Sequence, residues 1–320
     1  MQNHSKAGSI SVVVPLYNEE ENIYPLYESI STEVKSLGIS FEIIFVDDGS
    51  TDRTLQLLEE IEGKDDNVHV LSMRRNFGQT AAMAAGFDYA SNDVVVTLDG
   101  DLQNDPKDIG RLLELIKDYD IVSGWRKERK DPLVRRLPSM VANWLISKVT
   151  GVKLHDYGCS LKAYRKDVVK ALRLYGEMHR FIPAVASWYG VRIAEIPVNH
   201  RPRLRGKSKY GLSRTPKVLL DLITVKFLQS FSTKPIQFFG PVGLISSFAG
   251  IAISVYLSFE KLLLGRSIGG RPLLLLGVLL IIVGIQLIGM GVLGEMIARV
   301  YHESQRKPIY VLKKQGRKIN

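Results

Sequence analysis

The stretch Val94-Val95-Val96-Thr97-Leu98-Asp99-Gly100-Asp101-Leu102-Gln103 decides the fold. An unbroken apolar and β-branched run that ends abruptly in two acids around a glycine reads as a buried strand closing on a tight acidic turn. Two earlier runs have the same form. Ser9–Val14 runs into Pro15-Leu16-Tyr17-Asn18-Glu19, and Phe41–Val46 runs into Asp47-Asp48-Gly49-Ser50. A further strand is expected at Val68–Met73, and helical patterns separate all four. Strands alternating with helices predict an α/β domain with a mostly parallel, doubly wound sheet. Strands that are apolar almost throughout fit a sheet covered on both faces.

Working outward, later strands are expected at Ile121–Ser123, Ser160–Tyr164 and Arg192–Ile196. Asn18 with Glu21 has the form of a capping box, and Asp105 before Pro106 that of a helix start. In open α/β sheets ligands bind outside the carboxyl ends of the strands, which is where the acidic clusters fall. Crowded carboxylates repel unless something neutralises them. A hard divalent cation with oxygen ligands does so. Asp99 and Asp101 can reach one Mg²⁺ or Mn²⁺ from a single turn, with Gln103 offering a third oxygen and a diphosphate filling further positions.

The 320-residue chain carries a net charge of +10, unevenly spread. Pro235–Phe259 and Pro272–Gly294 contain no charged residue. At about 1.5 Å per residue each is long enough for a hydrocarbon core of about 30 Å. Arg201–Lys217 holds seven basic residues and no acid, and Pro216–Phe231 follows as an amphipathic helix suited to the membrane interface. Basic charge beside membrane segments points to anionic headgroups or a phosphorylated lipid, and not to nucleic acid. The expected organisation is a catalytic domain over residues 1–215, an interfacial helix over 216–231, a two-helix hairpin over 232–296 and a basic tail over 297–320. The loop between the spans has three basic residues (Lys261, Arg266, Arg271) and the tail after Gly294 has seven. The positive-inside rule then predicts an integral membrane protein with both termini and the catalytic domain cytoplasmic. The polar start, Met1–Ser9, is not a secretory signal, and the single Cys159 excludes an intrachain disulfide. Gly243, Ser247, Gly250, Gly289, Gly291 and Gly294 permit close helix contact and leave a homo-oligomer open.

The runs Val12–Glu19, Val46–Asp52 and Leu98–Gln103 resemble family 2 glycosyltransferases of the GT-A (Rossmann-like) fold. Asn76-Phe77-Gly78-Gln79, Asp156-Tyr157-Gly158-Cys159 and Arg203–Tyr210 look like the polyprenyl-phosphate branch, which includes dolichol-phosphate mannosyltransferases and bactoprenol glucosyltransferases. The resemblance runs from about Ile10 to the C-terminus. It implies that Pro15, Tyr17, Asn18, Glu19, Asp47, Asp48 and Asp99 serve the nucleotide, and that Asp99, Asp101 and Gln103 hold the metal. Arg126, Arg135, Ser139 and Arg203, with Lys209 nearby, would meet the acceptor phosphate. Asp156 stands where a base is usually proposed, and Asp101 and Asp156 are the expected catalytic pair. The implied reaction inverts the anomeric carbon and moves a hexose from a nucleotide-sugar donor to a polyprenyl phosphate. UDP-glucose is the expected donor, with GDP-mannose or a modified UDP-sugar as alternatives. A phosphate monoester is largely ionised at neutral pH, since its second pKa is about 6, so Asp156 is expected to orient groups more than to remove a proton.

Other readings fit less well. Processive polysaccharide synthases carry a Q-x-x-R-W motif and more spans, which this sequence lacks. A P-loop ending at Gly206-Lys207-Ser208 needs a glycine where Arg201 stands. A catalytically inactive membrane scaffold has no need of three acidic strand ends.

Overall fold

A computed structural model of the chain describes residues 8–127, 143, 146–148, 150–172, 174, 178–201, 236–267, 270–304 and 310–314. The chain divides into two compact units, residues 1–223 with 308–320, and residues 224–307.

The first unit is built on strands β1 (Ser9–Leu16), β2 (Ser40–Asp47), β3 (Val68–Met73), β4 (Val94–Thr97), β5 (Ile121–Trp125), β6 (Lys162–Arg165), β7 (Ile193–Pro197) and β8 (Leu312–Lys314). Their order across the sheet is β7-β5-β6-β4-β1-β2-β3-β8. The pairs β1/β2, β1/β4, β2/β3 and β5/β7 are parallel, while β6 and β8 run against their neighbours. Val12, Val13 and Val14 are fully buried, as are Ile43, Ile44 and Phe45. Both faces of the central strands are therefore covered, as their continuous apolar runs predict.

Helix α1 (Ile23–Ser36) crosses from β1 to β2 and seats Leu26, Ile30 and Val34 in the core. Helices α2 (Thr54–Glu62), α3 (Gln79–Tyr89) and α4 (Asp108–Leu115) follow β2, β3 and β4. Since β1 lies between β2 and β4, the chain order reverses across β1/β4, which opens a crevice at their carboxyl ends. Every predicted strand is present, with ends moved by up to two residues. β8 was not foreseen. It lies inside the segment expected as a basic tail, and its Leu312 and Lys314 pair with Met73 and Ser72. The expected capping box is replaced by a tertiary contact: a 3-10 turn, Glu20–Asn22, precedes α1, and Asn18 bonds across to the next strand-end loop.

The second unit contains two long helices, α7 (Ile236–Leu264) and α8 (Pro272–Ser304), after the short helices α5 (Lys166–Ala171) and α6 (Ile182–Ala186) of the first. Gln237–Leu264 and Pro272–Gly294 are long and apolar enough to cross a membrane. Leu244, Ile245, Phe248, Leu275 and Ile285 point outward and lie exposed, the pattern of a lipid-facing surface. The two helices meet through small residues. Backbone of one lies so close to Gly243, Gly250 and Gly284 that a Cβ there would come within about 2.6 Å of the facing carbonyl. Ser246 donates a hydrogen bond to the Leu280 carbonyl (2.9 Å). At the turn between the helices, Glu260 pairs with both Arg266 and Arg271. The interfacial helix expected over Pro216–Phe231 lies outside the described residues.

Candidate active site

A cavity of about 240 Å³ lies at the carboxyl ends of β1, β2 and β4. Pro15, Tyr17 and Glu19 from the first loop, Asp48 from the second, and Asp99, Gly100 and Asp101 from the turn after β4 form its wall. The loop after β3 adds Asn76, Gly78 and Gln79, which sequence reasoning did not assign to the site. The run Asn76-Phe77-Gly78-Gln79 carried part of the family resemblance, but with no acid in it the strand-end rule gave it no role in the site.

The loops brace one another. Asn18 takes a left-handed backbone (φ 51°), donates its N–H to Ser50 Oγ (2.9 Å) and accepts from the Thr51 N–H (2.8 Å). Leu102, with φ 62°, is the other non-glycine residue at positive φ among the described residues. Such conformations persist only where surrounding contacts enforce them, and both flank this cavity. Gly49 (φ 69°) passes so close to Arg75 that a Cβ would lie 2.4 Å from its backbone carbon.

Two adjacent acids of the second loop behave differently. Asp47 turns inward, accepting from the Ser50 N–H (3.1 Å) and the Ser72 hydroxyl (3.4 Å). It is almost fully buried and is not part of the cavity wall. Asp48 accepts the backbone N–H groups of Phe77 (2.7 Å) and Gly78 (2.9 Å), which fixes the loop after β3. Burial pushes both carboxyls above the ordinary carboxylate range, with these hydrogen bonds opposing it in part.

Asp99 accepts a hydrogen bond from Gln79 Nε2 (2.8 Å), and its N–H donates to Asn104 Oδ1 (3.2 Å). Burial raises its carboxyl, and the Asp101 charge raises it further. Asp101 shares the cavity and accepts from the Gln103 N–H (3.2 Å). Gln103, expected as a third metal oxygen, gives its carbonyl to the Arg201 N–H (2.8 Å) and lies outside the cavity wall.

Beside this turn, Arg126 grips Asp156 through Nε (2.7 Å) and Nη2 (2.9 Å). Asp156 is 2 % exposed. Burial opposes the Arg126 charge, but the hydrogen bond and charge of Asp156 outweigh it and hold the guanidinium protonated. Glu195 of β7 accepts the N–H groups of His155 (2.9 Å) and Asp156 (3.0 Å), setting the turn that presents Asp156. Lys162, buried at the start of β6, donates to the carbonyls of Tyr157 (3.2 Å) and Cys159. Burial lowers its pKa. No local pattern in the sequence marks a strand lysine as part of a site. The Cys159 thiol is buried and pushed up to about 11 by burial, so it is an inert packing residue. Arg135, Ser139, Arg203 and Lys209 lie outside the described residues.

Two carboxylates of one turn opening into one cavity, with Asp99 raised by the charge of Asp101, are a donor set that suits a hard divalent cation. Among the described residues no third His, Cys, Asp or Glu joins them. That fits Mg²⁺ or Mn²⁺, which are commonly held by one or two carboxylates together with waters and substrate phosphates.

A mostly parallel sheet of this order, with acids at the β1/β4 crevice, is the GT-A architecture of nucleotide-sugar transferases. The chain belongs to glycosyl transferase family 2, whose model matches residues 11–173. It is 46 % identical to the dodecaprenyl-phosphate galacturonate synthase of Rhizobium johnstonii, over 95 % of this chain and 92 % of that one. It is 38 % identical to the undecaprenyl-phosphate 4-deoxy-4-formamido-L-arabinose transferase of Pseudomonas paraeruginosa, over 95 % of this chain and 89 % of that one. Among solved structures it resembles glucosyl-3-phosphoglycerate synthase from Mycobacterium tuberculosis in complex with Mn²⁺ and uridine-diphosphate-glucose. The TM-score there is 0.53 at 21 % identity, covering 69 % of this chain and 78 % of that one, a likeness of fold.

Proposed function

We propose that this family 2 enzyme transfers a sugar from a nucleoside diphosphate to a polyprenyl phosphate at the membrane surface. The observation that carries the reading is the shared cavity of Asp99 and Asp101 beside Tyr17 and Asp48 at the β1/β4 crevice. Relatives at 46 % and 38 % identity, matched along nearly their whole length, are both named for sugar transfer to a polyprenyl phosphate. The two long apolar helices give such an acceptor a lipid phase to sit in.

Asp99 and Asp101 would hold Mg²⁺ or Mn²⁺, which supplies Lewis-acid stabilisation of the departing diphosphate. The chain's own groups do the rest. Pro15, Tyr17, Glu19 and Asp48 line the part of the cavity proposed for the nucleoside. Asp156 is engaged by the Arg126 guanidinium and by the Gly158 N–H (3.1 Å). A carboxylate held in this way is suited to balancing charge and aligning Arg126 toward an anionic acceptor. The acceptor phosphate is ionised before it arrives, so it needs placement more than deprotonation. Arg135, Ser139, Arg203 and Lys209 are proposed to complete that placement. In-line attack from the face opposite the diphosphate inverts the anomeric carbon.

The sugar is proposed to be acidic or amino-modified in place of plain glucose, because the relatives' names carry galacturonate and 4-deoxy-4-formamido-L-arabinose. For topology, β8 returns after both apolar helices to the sheet that precedes them. Two crossings bring a chain back to its starting side, which supports a catalytic domain and C-terminus on one face. The positive-inside rule supports the cytoplasmic side for that face. In the opposite loop, two of the three basic residues are paired with Glu260.

The deciding experiment incubates the purified protein with polyprenyl phosphate, Mg²⁺ or Mn²⁺, and a panel of donors including UDP-galacturonate, UDP-glucose and GDP-mannose. The glycolipid is read by mass. Product with an acidic or modified donor is expected; product with UDP-glucose alone overturns the sugar assignment, and no product with any donor overturns the function.

A further inference from the structure

Asp99 is held from two sides by carboxamides on different loops. On one side Gln79, the first residue of α3, points Nε2 at Asp99 Oδ1 (2.8 Å). A carboxylate only accepts hydrogen bonds, so the amide must face it with its NH₂. The position of Gln79 is itself set, because the preceding residue, Gly78, gives its N–H to Asp48 Oδ2 (2.9 Å). On the other side Asn104, 6 % exposed, uses one Oδ1 to accept from the Asp99 N–H (3.2 Å) and from the Ser160 hydroxyl (2.9 Å). The Asn104 backbone forms an antiparallel bridge with His200, and the neighbouring Gln103 carbonyl accepts from the Arg201 N–H. One buried side chain thus ties the acidic turn to the segment that follows Asp156, while its backbone ties that turn to the extension of β7.

We propose that Gln79 and Asn104 are positioning residues for the metal site: Gln79 orients the Asp99 carboxylate, and Asn104 fixes the backbone of the turn that carries Asp99 and Asp101. The inference rests on the metal reading given above. Carboxylate ligands work when partners behind them hold their orientation, and loss of such a partner commonly weakens metal affinity about 10- to 100-fold. The two residues divide the task. Gln79 acts on one oxygen of one side chain. Asn104 acts on the peptide that places both acids, and through Ser160 it keeps them in register with the Asp156 turn.

The test uses full-length protein in detergent. Mn²⁺ is titrated in the presence of UDP with free Mn²⁺ read by electron paramagnetic resonance, and UDP binding is measured separately in EDTA. Gln79→Leu and Asn104→Leu should each raise the Mn²⁺ dissociation constant about 10- to 100-fold while metal-free UDP affinity stays within about twofold. Asn104→Asp keeps an acceptor for both donors and should bind Mn²⁺ within a few-fold of the parent; it also answers a folding defect in Asn104→Leu. Unchanged Mn²⁺ affinity in Gln79→Leu, or an equal loss of metal-free UDP affinity, overturns the proposal. A parent protein that binds no Mn²⁺ with UDP present overturns the metal reading itself, a result distinct from either.

Discussion

Arg126 holds Asp156 in a two-pronged ion pair, Nε to Oδ2 at 2.7 Å and Nη2 to Oδ1 at 2.9 Å, with side chains 15 % and 3 % exposed. Two buried charges that complete each other's hydrogen bonds are costly to separate. They join the strand end of β5 to the turn before β6 and stand next to the Asp99 turn.

Removing one partner should be felt as lost stability and lost rate in different proportions. Asp156→Ala leaves Arg126 buried without its carboxylate and should cost about 3–5 kcal/mol, seen as a lower melting temperature. Asp156→Asn keeps one acceptor oxygen for the Arg126 fork and nearly the same shape, and should retain measurable turnover. Asp101→Ala should retain none at any Mg²⁺ or Mn²⁺ concentration tested. Equal and complete loss in Asp156→Asn and Asp101→Ala would make Asp156 a base and not a positioning group.

Asp47 gives a pH-dependent stability effect of definite sign. Burial raises its carboxyl in the folded state above the ordinary value of about 3.9. The folded protein therefore holds this proton more tightly than the unfolded chain, and the contribution of Asp47 to stability falls as pH rises through that window. Asp47→Asn should thus raise the melting temperature at pH 7 relative to the parent, and the gain should shrink toward pH 4. A constant difference across that range would refute the assignment.

Gly49 and Gly100 should respond unequally to alanine. At Gly49 the new methyl meets backbone at 2.4 Å and the φ of 69° is unfavourable, so a loss of at least ~2 kcal/mol is expected by denaturant titration. At Gly100 the nearest atom, at 2.3 Å, is Cδ2 of Leu16, the end of a side chain that can rotate. Gly100→Ala should keep its fold and most of its activity.

Truncation after Lys307 removes β8 and exposes the edge of β3. Glu59 (3.0 Å) and Glu62 (3.3 Å) also lose Lys314, surface contacts worth about 0–1 kcal/mol each. The larger consequence is the open edge, which templates pairing with other chains. Self-association by light scattering should rise at unchanged detergent and salt. A monodisperse truncated protein would show that β8 is dispensable as an edge cover.

Arg203→Glu tests whether the basic segment holds the acceptor. Charge reversal at a phosphate contact should raise the KM for polyprenyl phosphate at least about tenfold, with the donor KM little changed. A general lipid-facing charge cluster would tolerate the single change.

Much of this was legible in residue order. Ser9–Leu16, Ser40–Asp47 and Val94–Thr97 announce themselves because a strand buried on both faces must be apolar throughout, and the acids that follow them mark one edge of the sheet. The charge-free stretches marked the two long helices for the same kind of reason. β8 escaped notice because three residues carry no usable period, and its stability comes from a partner strand more than two hundred residues away. Asn18 looked like a helix cap, but Ser50 and Thr51 take up its hydrogen bonds, a contact between loops that no local window contains.

The sequence by itself determined the parallel sheet, the edge at which its acids gather and the two apolar helices, since these follow from runs and periods of neighbouring residues. Only the tertiary structure decided that Asp48 faces the cavity while Asp47 turns inward, that Gln79 and Asn104 flank Asp99, and that Arg126 closes on Asp156. The physical reason is that a buried polar atom must find a partner wherever the fold brings one within hydrogen-bond reach, and for most of these atoms the partner comes from a different loop.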